Sequence, residues 1–145
     1  MAKYITIHQS TYIASIVAEY SDSNPALKNI KTPADDKLIA TQIVDALSEP
    51  PPSDDSFSPD NYDLYANIVD ALTHCAIHTR PDIAYATGML RRCLTCPNAD
   101  LLTAAQRVLR YLEKTANIGL TYQCSNSTLS GMSDSDWALK HSTSG

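Results

Sequence analysis

Along the chain the spacing of apolar residues changes period several times, and each change marks an element. Tyr4, Thr6 and His8 alternate with Ile5 and Ile7, a period of two that predicts a short strand. From Ser10 the period lengthens. Tyr12, Ile13, Ile16, Val17 and Tyr20 fall on one face of a helix that Ser10 would cap and Asn24-Pro25 would stop. Lys31 to Leu38 has no period, and Ile39 to Leu47 predicts at most two weak helical turns. Glu49-Pro50-Pro51-Pro52-Ser53-Asp54-Asp55 reads as a linker, because consecutive prolines remove backbone donors and the neighbouring acids offer nothing to bury.

Helical spacing returns after Ser58-Pro59, a capping hydroxyl before a first-turn proline, with Leu64, Tyr65, Ile68, Val69 and Leu72 as the stripe. Thr79-Arg80-Pro81-Asp82 repeats the start signal as a capping box, and Ile83, Ala86, Leu90 and Leu94 follow on one face. Pro97-Asn98 opens the most strongly patterned helix. Leu101, Ala105, Val108, Leu109 and Leu112 share one side of it, Arg107, Arg110 and Lys114 lie nearly opposite, and Gly119 is placed to supply a left-handed terminus. Leu120, Tyr122 and Cys124 then alternate with Thr121 and Gln123, and a second extended run from Leu129 toward Asp134 predicts a hairpin. Two strands alone are marginal in water, so this piece calls for partners.

Composition adds little to the fold: 145 residues, 43% apolar and 19% charged, suit one ordinary globular core. Charge placement changes the picture more. The net charge is −5, yet residues 34–63 carry eight acids against Lys37, whereas residues 91–114 carry five bases against Asp100 and Glu113. Any nucleic-acid contact is therefore expected from the second stretch. With no apolar run long enough to span a bilayer and no secretory start, the expected location is intracellular, cytoplasm or nucleus, with no membrane partner. In that setting Cys75, Cys93, Cys96 and Cys124 read as reduced thiols.

Five stretches carry a resemblance. Tyr65, Ile68-Val69 and Leu72; Thr79-Arg80-Pro81-Asp82-Ile83 with Tyr85-Ala86; Arg107-Val108-Leu109-Arg110-Tyr111-Leu112; and Gly119-Leu120 with Tyr122 and the later Gly131-Met132-Ser133-Asp134-Ser135-Asp136-Trp137 follow one another in a fixed order. In wording and order they resemble the end of the reverse transcriptase and the start of the ribonuclease H in copia-type long-terminal-repeat retrotransposon polyproteins. Gln9-Ser10, Tyr12-Ile13 and Lys31-Thr32-Pro33 extend the likeness less specifically. The chain departs from the family pattern at Asp70, where glycine is usual, and at Cys93 and Met132, where aromatics are usual; the segment between Ala138 and Ser142 is also short.

The resemblance implies an α+β chain, mostly helical, with a short N-terminal strand and a C-terminal hairpin that would open a ribonuclease H-like fold. It divides the chain into a thumb-like end of reverse transcriptase (1–33), an acidic Pro-rich linker (34–63), a helical connection segment (64–118) and an incomplete ribonuclease H-like start (119–145). The implied ancestral role is RNA-directed DNA synthesis and degradation of an RNA/DNA hybrid. Asp134 would be the first nuclease acid and a Mg2+ ligand in the intact parent. Hard divalent cations need several oxygen ligands together, so the resemblance implies no activity and no cofactor for this chain alone.

Bland readings compete at each candidate. Asp35-Asp36 and Asp54-Asp55, the adjacent aspartate pairs lying in linker-like sequence, read as solvated charge. Arg107, Arg110 and Lys114, aided by Arg91 or Arg92, suit duplex phosphates, since neutralising backbone charge needs only a basic face; the favoured reading is the solvated outer face that any amphipathic helix shows, so weak or no nucleic-acid binding is expected of the chain alone, and an RNA/DNA hybrid is the partner of the intact parent. Cys93-Leu94-Thr95-Cys96 with His74, Cys75 and His78 has partial zinc spacing but lacks a matching second pair, so packed thiols are expected. The alternative to a polyprotein piece is a non-catalytic helical interaction module reused from a transposon relic.

Overall fold

A computed structural model describes residues 3–20, 30–34, 57–123 and Gly131. Strand β1 (Tyr4–Ile7) leads into helix α1 (Ser10–Tyr20); helix α2 (Pro59–His78), a 3-10 turn (Pro81–Ile83), helix α3 (Ala84–Arg91), helix α4 (Ala99–Lys114) and strand β2 (Leu120–Gln123) follow. The described part is mostly helical with one two-stranded antiparallel sheet, an α+β arrangement. The weak turns expected over Ile39 to Leu47, the linker prolines, the second hairpin arm toward Asp134 and Cys124 lie outside the described residues.

Local chemistry accounts for the helix starts. The Ser58 hydroxyl accepts the Asn61 amide at 3.3 Å, with Pro59 next in sequence, where its missing N–H costs nothing. Asn98 Oδ1 accepts the Leu101 amide at 2.8 Å and opens α4. Ser10 is the first residue of α1 rather than its cap, and the first turn closes through Ile13 N to Gln9 O at 2.9 Å.

The expected stripes all face one core. Ile13 and Ile16 of α1, Tyr65, Ile68, Val69, Leu72 and Cys75 of α2, Ile83, Ala86, Leu90 and Cys93 around α3, and Leu101, Ala105, Val108, Leu109 and Leu112 of α4 form a single buried cluster. Each fully buried aliphatic or aromatic side chain here contributes about 1.5–3 kcal/mol of transfer free energy. Tyr65 keeps its hydroxyl satisfied inside the core by donating to Leu90 O at 2.8 Å, and burial pushes its phenol well above the usual range.

Two further local readings of the sequence are corrected. Thr79 does not cap the following helix; it ends α2, and its hydroxyl donates to Gln9 Oε1 at 2.7 Å, a tie across 70 positions. Gly119 does not take a left-handed conformation. A Cβ there would overlap Ile7 O and lie 2.8 Å from Ile7 C and 2.9 Å from His8 Cβ, so glycine is required because the end of β1 passes against it.

That close approach sets the sheet. β1 and β2 pair antiparallel with Ile5 opposite Tyr122 and Ile7 opposite Leu120, so the apolar residues share one face, while the Thr6 and Thr121 hydroxyls meet at 2.9 Å on the other. The alternation of Leu120, Tyr122 and their neighbours thus finds a partner at the opposite end of the chain.

Candidate functional site

Helix α4 carries the basic face, and its position follows from its stripe. Because Leu101, Ala105, Val108 and Leu112 are buried against the other helices, residues about half a turn away must point outward. Arg107 and Arg110 are half-buried on that side and Lys114 is exposed. The Arg110 guanidinium donates to Glu113 Oε2 at 2.9 Å. Arg107 Nη2 reaches Thr32 Oγ1 at 3.4 Å, and its Nε is buried with no hydrogen-bond partner among the described residues. The segment around Thr32 therefore lies beside the basic face, where Arg107, Arg110 and Lys114 share one side of the helix. Arg91 and Arg92 are exposed at the end of α3. Asp134, the residue expected to hold a metal, lies outside the described residues. Among the described residues no group of three or more His, Cys, Asp or Glu side chains is placed to hold a metal ion.

A second polar constellation was not anticipated from the pattern. Arg80 is fully buried, and its guanidinium makes a two-pronged bond to Asp82, Nε to Oδ1 at 2.9 Å and Nη2 to Oδ2 at 2.8 Å. Nη1 donates to Thr115 O at 2.9 Å and Nη2 to Thr115 Oγ1 at 2.6 Å. Tyr111 OH donates to Asp82 Oδ2 at 3.0 Å, and the Arg80 Cζ lies 5.6 Å from the centre of the Tyr111 ring. Burial alone would raise the Asp82 carboxyl, but the hydrogen bonds and charge of Arg80 outweigh it and hold the group below its ordinary value. Burial would likewise lower Arg80, and the Asp82 hydrogen bonds and charge reverse that. The guanidinium spends its donors inside the protein, so this is a clamp between the 3-10 turn and the end of α4. Its sequence signal was an arginine between a threonine and a proline, with an aspartate beside apolar Ile83 and a partner tyrosine and threonine one turn apart at the end of α4.

The cysteines pack as the sequence suggests. Cys75 and Cys93 are fully buried and Cys96 half-buried, all as free thiols. Burial pushes the Cys75 thiol up to about 11. His74 and His78 stack with ring centres 4.2 Å apart, and Tyr12 lies 4.8 Å from His74, so these rings pack on one another rather than converge with a thiol. A cleft of about 310 Å³ separates α2 from α3, lined by Thr73, Ala76, Ile77, Thr87, Gly88 and Arg91, with the Thr87 hydroxyl lacking a described partner.

No protein-family profile and no solved structure matches the chain. Sequence relatives do. The Pol polyprotein from transposon RE1 of Arabidopsis thaliana is 41% identical over 75 residues, 51% of this chain and 5% of the polyprotein. A protein of Saccharomyces cerevisiae named for transposon Ty5-1 is 36% identical over 121 residues, 82% of this chain and 34% of that protein. The chain is a relative of retrotransposon Pol polyproteins. A third relative, secreted RxLR effector protein 161 of Plasmopara viticola, is 38% identical over 86 residues, 56% of this chain and 61% of the effector. The chain thus spans 61% or less of the length of these three relatives. No helix among the described residues is long and apolar enough to cross a membrane.

Proposed function

We propose that this chain is the piece of a copia-type Pol polyprotein that joins the end of reverse transcriptase to the start of a ribonuclease H-like fold, and that it supports catalysis without performing it. Its ancestral role is then RNA-directed DNA synthesis and removal of RNA from the hybrid, carried out by polymerase aspartates on another part of the polyprotein and by nuclease acids of which this chain supplies Asp134. The observation that supports this reading is the clamp: Thr79-Arg80-Pro81-Asp82 and the Arg107 to Leu112 run, two of the stretches that carry the resemblance, are joined through Arg80, Asp82 and Tyr111, with Thr115 just beyond the run.

On this reading the outer face of α4 lies beside an RNA/DNA hybrid, with Arg107, Arg110 and Lys114 against phosphates. The intact parent would bind Mg2+ through Asp134 and acids supplied elsewhere; the described residues of this chain contain no set that fits the ion. The compartment is intracellular, where a polyprotein meets its transcript.

Titrating a labelled RNA/DNA hybrid with the purified chain at several salt concentrations tests the contact. Each phosphate contact contributes about 0.9 to the slope of log affinity against log salt, so changing Arg107, Arg110 and Lys114 together to Ala should flatten that slope by up to about 3 and weaken binding alike on all sequences. An unchanged slope would remove the basic face from the proposal. Magnesium-dependent cleavage of the hybrid by the purified chain, lost in Asp134→Asn, would overturn the claim of catalytic silence.

One observation favours a second reading, a helical interaction module. The effector relative shares 86 residues that make up 61% of it, so a related segment serves as the larger part of a free-standing protein. A chain that folds cooperatively, ignores the hybrid and retains a protein partner would support that reading over the first.

A further inference from the structure

The joint between α3 and α4 is built on two thiols. Cys93 N donates to Leu90 O at 3.0 Å and Cys96 N to Cys93 O at 3.2 Å, so Cys93-Leu94-Thr95-Cys96 is a hydrogen-bonded turn. Such a turn holds its end Cα atoms within about 7 Å, and a disulfide needs about 4.4–6.8 Å. Burial first, and then the neighbouring Cys96, raise the Cys93 thiol above its ordinary value. Both flanks of the turn are pinned, with Tyr62 OH donating to Thr95 O at 2.7 Å and Tyr65 OH to Leu90 O at 2.8 Å. Exposure differs between the two residues. Cys93 is fully buried, whereas Cys96 is half-buried and the more accessible of the pair.

We propose that Cys93 and Cys96 form a reversible disulfide, closed by low-molecular-weight disulfides of the glutathione type and entered through Cys96. The Cys96 thiolate attacks one sulfur of oxidised glutathione, forming a mixed disulfide as the glutathione S–S bond breaks and one glutathione thiolate leaves. Cys93 then gives its proton to water, and its thiolate attacks Cys96 Sγ; the Cys93–Cys96 bond forms and the second glutathione thiolate leaves. Two protein thiols are oxidised and one glutathione disulfide is reduced. Burial shields Cys93 from direct attack, which fixes the order, and closure needs the Cys93 thiolate, so it accelerates about tenfold per pH unit on the acid side of that thiol's titration. The product is a covalent latch between the end of α3 and the entry to α4.

The test is to incubate the full chain with oxidised glutathione, alkylate remaining thiols with N-ethylmaleimide, digest after Arg and Lys, and weigh the peptide from Cys93 to Arg107. The expected product is that peptide two hydrogens lighter, unalkylated, and restored by dithiothreitol. In Cys93→Ser the glutathione adduct on Cys96 should persist at least about tenfold longer. Because Cys93 lies in the core and its variant risks unfolding, Cys96→Ser provides the independent arm: Cys93 should then stay unmodified while the chain is folded. A peptide that remains a dithiol, a wild-type adduct that never closes, a closure rate flat with pH, or glutathione on Cys93 in Cys96→Ser would each overturn the proposal.

Discussion

A guanidinium with no exposure to water is tolerated only when its donors and its charge are both met, and at Arg80 the partners are two oxygens of Asp82, the backbone and side chain of Thr115, and the face of Tyr111. Lysine keeps the charge but not the planar fork, so Arg80→Lys is not conservative here. Breaking a fully buried pair costs about 3–5 kcal/mol; with the Asp82 side chain 34% exposed and partly screened, Arg80→Met is expected to cost about 2–3 kcal/mol by urea unfolding, and Arg80→Lys only slightly less. The sign of the pH dependence follows from Asp82. Its folded carboxyl is held below the unfolded value, so the contribution is present above about pH 4 and is lost as pH falls through the folded value. Unfolding midpoints at about pH 5 and pH 3 should therefore converge in Arg80→Met relative to wild type. Cys75 acts at the opposite end. Its thiol is raised from 9.0 to about 11, so the folded state prefers the neutral form, and stability present below pH 9.0 is lost as pH rises toward 11. Cys75→Ala should lower stability at neutral pH through the cavity it leaves, yet flatten the alkaline decline; an unchanged alkaline slope would mean that other groups set it.

Helix α4 was the most legible element because every signal for it is local: an Asn cap, a stripe at helical spacing and bases in the outer positions, all of which the structure reproduces. Removing the cap with Asn98→Ala should cost about 1 kcal/mol, because one N-terminal amide loses its acceptor, and Asn98→Gly rather less. The stripes of α1, α2 and α3 were legible for the same reason. What the pattern concealed are features whose partners lie far away along the chain. Thr79 has every property of a cap, yet its hydroxyl is taken by Gln9; Arg80 and Asp82 look like surface charge beside a proline, yet they close on Tyr111 and Thr115. Gly119 was read from its place after a helix as a left-handed terminus, whereas it is small because Ile7 passes over it. The basic face of the candidate site was readable from α4 alone, while the proximity of Thr32 to Arg107 spans 75 positions and has no sequence signal. The thiol pair was visible as a spacing, but its unequal burial, which decides its chemistry, depends on the core built around it.

At the scale of the whole molecule, the described ends of the chain are tied together by its least protected element. β1 and β2 pair across 115 positions, yet every residue of β1 is exposed, as are Thr121, Tyr122 and Gln123 of β2. Ile5 at 68% and Tyr122 at 57% exposure add little burial, so the ladder relies on a few backbone bonds and the Thr6–Thr121 contact. A two-stranded sheet of this kind is marginal by itself, whereas α2 and α4 hold residues such as Leu72, Ile68 and Leu112 with no exposure at all. Opening free energies should therefore fall into two classes. In native-state hydrogen exchange, amides of β1 and β2 are expected to exchange through a local opening that leaves the helices intact, while those of Leu72, Val108 and Leu112 exchange only with global unfolding. Gly119→Ala separates the two directly. A Cβ against Ile7 O forces β1 away, so the strand amides should lose protection by at least about tenfold, equivalent to about 1.4 kcal/mol, with core helix protection nearly unchanged. If the substitution instead lowers protection in α2 and α4 by the same factor, the sheet belongs to the global cooperative unit. The tie from Thr79 to Gln9, at the junction of β1 and α1, would then be the route through which the strand pair supports the helices.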